Sequence, residues 1–322
     1  MQSILRSICI VLPALLTAAP AEAQPAYPSK VIRFLVGAPA GGSNDIFARA
    51  LSQRLSEALG QPVIVDNRPG ASQMIAADLT AKAPPDGHTL YITSTTYTTG
   101  VALMAKLPFD PVNDLSGVTM VARGPMVLVV HPSVPAKTVK ELIAVARARP
   151  GQLNYTSSGI GGINHFGMEV FKSMANIDIV HVPHKGMGPA ITDLMAGQVQ
   201  VLLVSLTAVE TQMQSGRLRA IGVSSPKRSS FLPNLPAIAE TLPGYDNDLW
   251  WGVFVASKTP KPIIDRLNTE FHKAMATDDM KKRFAEFGAL GAPTTPDGFN
   301  TIVKNEIAKW KKVVQAANIK PE

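Results

Sequence analysis

Apolar and polar residues alternate along the chain in short blocks. Val31-Ile32-Arg33-Phe34-Leu35-Val36 is mostly apolar with partial alternation and predicts a strand. Gly37 to Gly42 interrupts it. Ser43-Asn44-Asp45 then offers three N-cap candidates for a helix whose apolar positions are Ile46, Phe47, Ala50, Leu51 and Leu55, and Gly60 ends that helix. Val63-Ile64-Val65 predicts a second strand, Asn67-Arg68-Pro69-Gly70 a turn, and about Gln73 to Lys82 a helix. After the turn Pro84-Pro85-Asp86-Gly87, Leu90-Tyr91-Ile92 predicts a third strand.

The same rhythm continues. Val127 to Val130 reads as a strand, and Thr138 to Arg149 as a helix with Thr138 and Glu141 spaced as a capping box. Leu153-Asn154-Tyr155 starts a strand, a glycine-rich loop follows, and a helix is predicted near His165 to Met174. Ile179 to Val182 is a strand, Gly188 to Ala196 a helix and Val199 to Val204 a strand. Pro226 to Gly244, with four prolines, reads as a long irregular connection. Trp250 to Val255 is a last strand before helices over Lys261–Ala276, Asp278–Glu286 and Pro296–Ala317.

Strands alternating with helices predict an α/β fold with parallel sheets covered on both faces. The strand–loop–helix pattern occurs in similar form at residues 31–59 and 153–175, which suggests two α/β lobes. Lobe 1 is assigned to residues 24–123 plus 247–322, and lobe 2 to residues 124–246.

The first residues change the picture. Arg6, the apolar run Ile8 to Leu16 and the small-x-small site Ala21-Glu22-Ala23 have the form of a signal peptide, assigned to residues 1–23. Its removal would take away Cys9, the single cysteine, together with Arg6 and Glu22, so the net charge stays at +7. The exported chain would lack disulfides, and about 300 residues can bury enough surface without them. No later apolar run is long enough to span a bilayer. A soluble protein outside the cytoplasm, in the periplasm of a bacterium, is expected.

Hydrophobic residues make up 46% and charged residues 17%, which excludes a disordered chain. The lysines and arginines are scattered, and the densest short groups are Lys281-Lys282-Arg283 and Lys309-Trp310-Lys311-Lys312. Both read as solvated helix faces, so no nucleic-acid partner is expected. The positive balance weakly favours anionic small ligands.

Two glycine-rich loops carry the candidate chemistry: Gly37-Ala38-Pro39-Ala40-Gly41-Gly42-Ser43-Asn44-Asp45, and Thr156-Ser157-Ser158-Gly159-Ile160-Gly161-Gly162-Ile163-Asn164-His165. Each is placed at the C-terminal end of a strand and before a helix, the edge at which open α/β sheets bind ligands. Glycines admit a ligand to the backbone, and first-turn N–H groups favour an anion. Neither loop is a phosphate fingerprint. The first lacks a Gly-Lys-Ser/Thr ending, and in the second Asn164 stands where a dinucleotide loop has its third glycine. There is no Gly-x-Ser-x-Gly elbow and no HExxH, and without Cys9 no thiol chemistry. No enzyme activity, metal or cofactor is expected.

Several blocks together resemble the Bug family, the solute-binding proteins of tripartite tricarboxylate transporters. They include Tyr27-Pro28-Ser29-Lys30-Val31-Ile32-Arg33, Pro39-Ala40-Gly41-Gly42 with Asp45 and Ala48-Arg49, Leu59-Gly60-Gln61-Pro62-Val63, and Asn67-Arg68-Pro69-Gly70-Ala71. Pro85-Asp86-Gly87, Leu107-Pro108-Phe109-Asp110-Pro111, His131-Pro132-Ser133, Gly151-Gln152-Leu153-Asn154-Tyr155, Val180-His181-Val182-Pro183 with Lys185-Gly186, and Pro260-Lys261-Pro262 continue it in order and spacing. The resemblance implies a type II periplasmic binding fold, two α/β lobes joined by a two-strand hinge with the ligand cleft between them. It implies lobe closure on a small organic carboxylate, and delivery to membrane transporter subunits of the tripartite type by a monomer. Carried over by position, it points to Pro39, Ala40, Gly41, Gly42 and Asp45 in the first loop. In the second it points to Ser157, Ser158, Gly159, Gly162 and His165.

This chain departs from the family pattern in places. His184 stands where tyrosine is frequent. Val204-Ser205-Leu206 stands where an aspartate is frequent, and Ser205 has no charge for a ligand ammonium, which disfavours an amino acid. The hydroxyl-rich run Thr93 to Thr99 is read as a loop whose hydroxyls reach a carboxylate while Tyr97 packs on a flat ligand body. Asp45 reads as a loop brace or cap as well as a contact. His165 reads equally as a donor or a cap, His181 as a core histidine, and Trp250-Trp251 as one core and one cleft indole. The expected solute is a di- or tricarboxylate, with aromatic ones included. The rival readings are an orphan sensor partnering a membrane histidine kinase and, further off, an exported enzyme using the same cleft.

Overall fold

A computed structural model describes residues 27–320; the expected signal peptide, residues 1–23, lies outside the described residues. The first unit of chain is β1 (Ile32–Val36), α1 (Ser43–Leu59), β2 (Val63–Asn67), a 3₁₀ turn (Ala71–Gln73), α2 (Met74–Ala81), β3 (Thr89–Ser94), α3 (Thr96–Leu103) and β4 (Leu115–Gly124). The second is β5 (Met126–Val130), α4 (Val139–Ala148), β6 (Asn154–Ser157), α5 (Ile163–Ala175), β7 (Val180–Pro183), α6 (Met187–Met195), β8 (Val201–Ser205), α7 (Leu206–Gln214) and β9 (Arg219–Val223). The chain then returns with β10 (Leu249–Ala256), α8 (Lys261–Met275), α9 (Asp278–Glu286), β11 (Leu290–Gly291) and α10 (Pro296–Ala316).

These elements build two sheets and two lobes. The six-stranded sheet has the order β11-β4-β10-β3-β1-β2, and the five-stranded sheet β7-β6-β8-β5-β9. This is the two-lobe type II arrangement. The expectation of purely parallel sheets is corrected. β1 pairs β2 and β3 in parallel, and β6 pairs β7 and β8 in parallel, but β10 runs antiparallel to β3 and β4, and β5 antiparallel to β8 and β9. The reason lies in the crossings between lobes. β4 ends at Gly124 and β5 begins at Met126, so the chain passes from one sheet into the other with no helix to restore a parallel direction.

Alternation along the strands decides which helix covers which face. Phe34 and Val36 of β1 face a core shared with Phe47 and Leu51 of α1 and Leu267 and Phe271 of α8. Leu35 points the other way, to Met74, Tyr97, Phe299 and Val303 on α2, α3 and α10. In the second lobe Leu128 joins Leu142, Met168 and Phe171, while Val127 joins Leu194 and Val209. Each such fully buried side chain contributes roughly 1.5–3 kcal/mol over an exposed one. Helix α4 starts as its sequence demands, with Thr138 Oγ1 accepting from Glu141 N at 3.1 Å. The box is half made, because the Glu141 carboxylate takes the N–H of Lys137 and not that of Thr138.

Polar bonds sew the two crossings together. Arg123, at the end of β4, donates to Asp248 Oδ2 at 2.9 Å and to Asp246 Oδ1 at 2.8 Å. Ser224, just past β9, donates to Asp248 Oδ1 and accepts from Met126 N at 2.8 Å. Burial pushes the Asp248 carboxyl up to about 6 in spite of Arg123. Lys309 of α10 adds a contact to the Asp246 carbonyl. A small apolar seam, Phe166 and Ile163 of α5 against Trp310, Val313 and Leu103, also joins the lobes.

Candidate functional site

The first loop leaves β1 and enters α1 at Gly42, whose φ of −77° and ψ of 167° are extended. No side chain caps this helix. The loop is held from below by Asp45, only 3% exposed. Its Oδ2 accepts from Gly41 N and from Arg49 Nε, both at 3.0 Å, and its Oδ1 accepts from Asn67 Nδ2 at 3.0 Å. Burial pushes the Asp45 carboxyl up, but the Arg49 guanidinium, the Gly41 N–H and the Asn67 amide outweigh it and hold the group below the usual carboxylate range. Asn67 also donates to Ala38 O, and Trp251 Nε1 donates to Ser43 Oγ at 3.0 Å. Pro39, Ala40, Gly41 and Gly42 stay exposed above this brace.

The second loop has the same form. It leaves β6 and enters α5 at Gly162, extended and again with no side-chain cap. Ser157 Oγ donates to Gly159 O at 2.9 Å and accepts from His181 Nε2 at 2.7 Å. His165 Nδ1 accepts from Gly161 N at 3.1 Å, which places its proton on Nε2. The His165 and His181 rings stack with centroids 4.0 Å apart, and Tyr155 stacks on His181 at 4.7 Å. Burial, followed by the Lys172 charge, pushes His165 down to about 4. Burial and then the adjoining His165 push His181 down to about 3. Both rings are neutral at ordinary pH. A Cβ on Gly161 would lie 2.6 Å from Leu103 Cδ2, so this loop already touches α3 of the first lobe.

Two helix starts without a side-chain N-cap, one per lobe, each follow a parallel strand; the carboxylate of Asp45 lies in the first turn of α1 and takes the Gly41 N–H, while the first turn of α5 holds no acidic residue. Among the described residues, no three His, Cys, Asp or Glu side chains gather as metal ligands, and no helix is long and apolar enough to cross a membrane. A model of the tripartite tricarboxylate transporter family receptor, TctC, matches residues 47–319. The chain belongs to this family. BugT of Bordetella pertussis is 36% identical over 306 residues, 94% of each chain. The R. palustris protein Rpa4515, solved with adipate, superposes with a TM-score of 0.77 at 35% identity, over 92% of this chain and all of that one. MatC from Rhodopseudomonas palustris, solved with bound malate, gives 0.73 at 29% identity, over 89% of this chain and all of that one. The family is one of transporter receptors and not of enzymes.

In this receptor the residues expected from the sequence divide into three groups. Pro39 to Gly42 and Ser158, Gly159 and Gly162 form the two loop rims and keep some exposure. Asp45, Ser157 and His165 are braces: their polar atoms are engaged with the loops' own backbone, although His165 also lines a cavity of about 460 Å³ with His181 and Glu169. Ser205 is half-buried at the start of α7, with no side-chain cap role.

Tyr97 is a correction. It is fully buried against Tyr91 and Phe254, its hydroxyl donates to Pro111 O at 2.8 Å, and no face is left for a ligand. The run Thr93 to Thr99 is the end of β3 and the first turn of α3, not a loop. Thr95 Oγ1 accepts from Trp250 N, and Thr98 Oγ1 donates to the buried Glu306 at 2.9 Å. The two indoles do lie on opposite faces, but both are buried: Trp250 donates to Glu306 and Trp251 to the first loop. His184 bridges Thr156 and Asp193. The sequence reading takes Asn44 as a cap candidate and gives Gln73 no role at the site; the two share a hydrogen bond of 3.1 Å beneath the first loop. The only signal for Gln73 was the glycine turn at Gly70 just before it.

Proposed function

We propose that this receptor captures a small di- or tricarboxylate, aliphatic or aromatic, by closing its lobes, and delivers it to the membrane subunits of a tripartite transporter. The observation that carries the reading is the pair of uncapped glycine N-termini, Gly42 and Gly162, one on each lobe. One carboxylate can take N–H donors from both loops only when the lobes are closed, and that differential contact drives closure. Adipate and malate in the two R. palustris relatives support the chemical class. Half-buried Ser205 offers no charge for an ammonium, which argues against an amino acid. Pro39, Ala40, Gly41, Gly42, Ser158, Gly159 and Gly162 form the contact set, held by Asp45, Ser157 and His165, with Ser205 at the rim. The lobes divide near residues 123–124 and 246–247, where Arg123 ties the crossings. The chain works as a monomer in the periplasm after loss of residues 1–23.

The test is a thermal melting scan of residues 24–322 against mono-, di- and tricarboxylates, acidic amino acids and phosphates. A ligand at about 100 times its Kd adds roughly 2.7 kcal/mol, a shift of several degrees for a chain of this size. A response confined to carboxylates is expected. A response to phosphates or amines with none to carboxylates would overturn the reading.

A further inference from the structure

Residues Gly70, Ala71, Ser72 and Gln73 have φ angles of 123°, 46°, 50° and 74°. All four lie in the region that favours glycine, yet three carry side chains. Backbone of this kind persists only where its surroundings over-determine it, and it gathers at functional sites. A Cβ on Gly37, in the first loop, would fall 2.7 Å from Gln73 Cβ, and one on Gly100, in α3, would fall 2.9 Å from Ser72 Cβ. The turn is therefore wedged between two glycines that leave room for it.

Gln73 is 9% exposed. Its Oε1 accepts from Asn44 Nδ2 at 3.1 Å and from Thr93 Oγ1 at 2.5 Å, and its Nε2 donates to Ser94 Oγ at 3.2 Å. Its own carbonyl accepts from Tyr91 OH at 3.1 Å. Asn44 opens α1, and Thr93 and Ser94 close β3, so the amide sits where β1 and β3 end, on the cleft side of the first lobe. It stands directly beneath the first loop, in space that a glycine would leave open. Among the described residues only Ser94 takes a bond from Nε2, which leaves one amide hydrogen for a ligand.

We propose that Gln73 is the specificity-determining residue of the first lobe: its side chain forms the cleft floor, sets the length of diacid that fits and donates to the ligand's far end. This rests on the carboxylate reading above. The strained backbone is the device that turns the amide into the floor.

Titration calorimetry with unbranched α,ω-diacids of increasing chain length, on the wild type, Gln73→Gly and Gln73→Asn, tests it, with ligand-free melting of each. Gln73→Gly relieves the left-handed backbone but leaves Asn44, Thr93 and Ser94 without their partner, so it melts somewhat below the wild type and is compared with it only at temperatures where both are folded. Its preferred diacid is longer by at least one methylene, and the affinity ratio of the longer to the original diacid rises about tenfold or more, the discrimination one methylene supports. Gln73→Asn tolerates the same backbone with a shorter amide and shifts the preference less. The same length preference in all three proteins overturns the assignment while leaving the carboxylate reading intact. A wild type that binds none of these diacids nor any other carboxylate overturns both.

Discussion

Lowering the pH tests the stacked histidines behind the second loop. His165 is held down to about 4 and His181 to about 3, against an ordinary value near 6.5. Between these values the unfolded chain binds protons that the folded chain refuses. Their contribution to stability is therefore complete above about pH 6.5 and is lost as the pH falls towards 4. From pH 7 to pH 4.5, His165 alone accounts for about 2.5 kcal/mol at most, and nearer 1–2 kcal/mol once cleft water screens it. The second ring adds a comparable share, because it is held lower still and a charge on one ring, 4.0 Å away, discourages a charge on the other. Protonation of His165 would also remove the acceptor for Gly161 N, so the loop should loosen in the same window. Asp248 acts in the opposite sense. Pushed up to about 6, it holds a proton in the folded state that the unfolded chain releases, so its cost is relieved as the pH falls from about 6 towards 4. The histidine part is isolated by urea denaturation of the wild type and of a His165→Gln/His181→Gln double variant at pH 4.5, 5.5, 7 and 8. The stability advantage of the wild type should shrink by about 1–2.5 kcal/mol or more from pH 7 to 4.5. An advantage that stays constant would show that the rings are not held neutral by burial.

Three further outcomes follow from the same contacts. Gly41→Val and Gly161→Val both force a β-branched residue to a φ of 83°, the first in open space and the second against Leu103; calorimetry should show at least a tenfold loss of carboxylate affinity, while strain of about 1–2 kcal/mol lowers the Tm by only a few degrees. Arg123→Met leaves the buried Asp248 without its partly exposed guanidinium, so urea denaturation at pH 7.5 should show a loss of about 1–3 kcal/mol, which shrinks at pH 5 where Asp248 can protonate. Asp45→Asn should weaken ligand affinity although the Asp45 carboxylate is taken up by Gly41, Arg49 and Asn67, because the Gly41 N–H and the exposed Arg49 lose the charged acceptor they share; unchanged affinity would remove Asp45 from the binding machinery.

What the chain determines by itself is what short-range pattern can carry. β1 and α1 follow from a run of apolar residues, a glycine break and a periodic apolar face, all within thirty residues. The two loops were legible for the same reason, since glycine before a helix start is a local signal. The return of the strand at Trp250 to the first lobe was also within reach, because the helices that close the chain need a sheet to cover. Elements such as β4, α3, α7 and β9 were not. Leu115–Gly124 mixes Ser116, Thr119 and Arg123 among its apolar residues, and those polar groups find partners only when distant segments arrive: Thr119 meets Thr294, and Arg123 meets Asp248. Tertiary structure alone decided which hydroxyls and rings face the cleft. Tyr97 was placed there by composition and lies in the core, because α3 turns its ring to Tyr91 and Phe254. Asp45 and Gln73 differ from other polar residues of the chain only through partners reached across folded space, Asn67 for one and Thr93 with Ser94 for the other. Periodicity assigns a residue to a face of its own element, but which element covers that face depends on contacts between residues far apart in the chain.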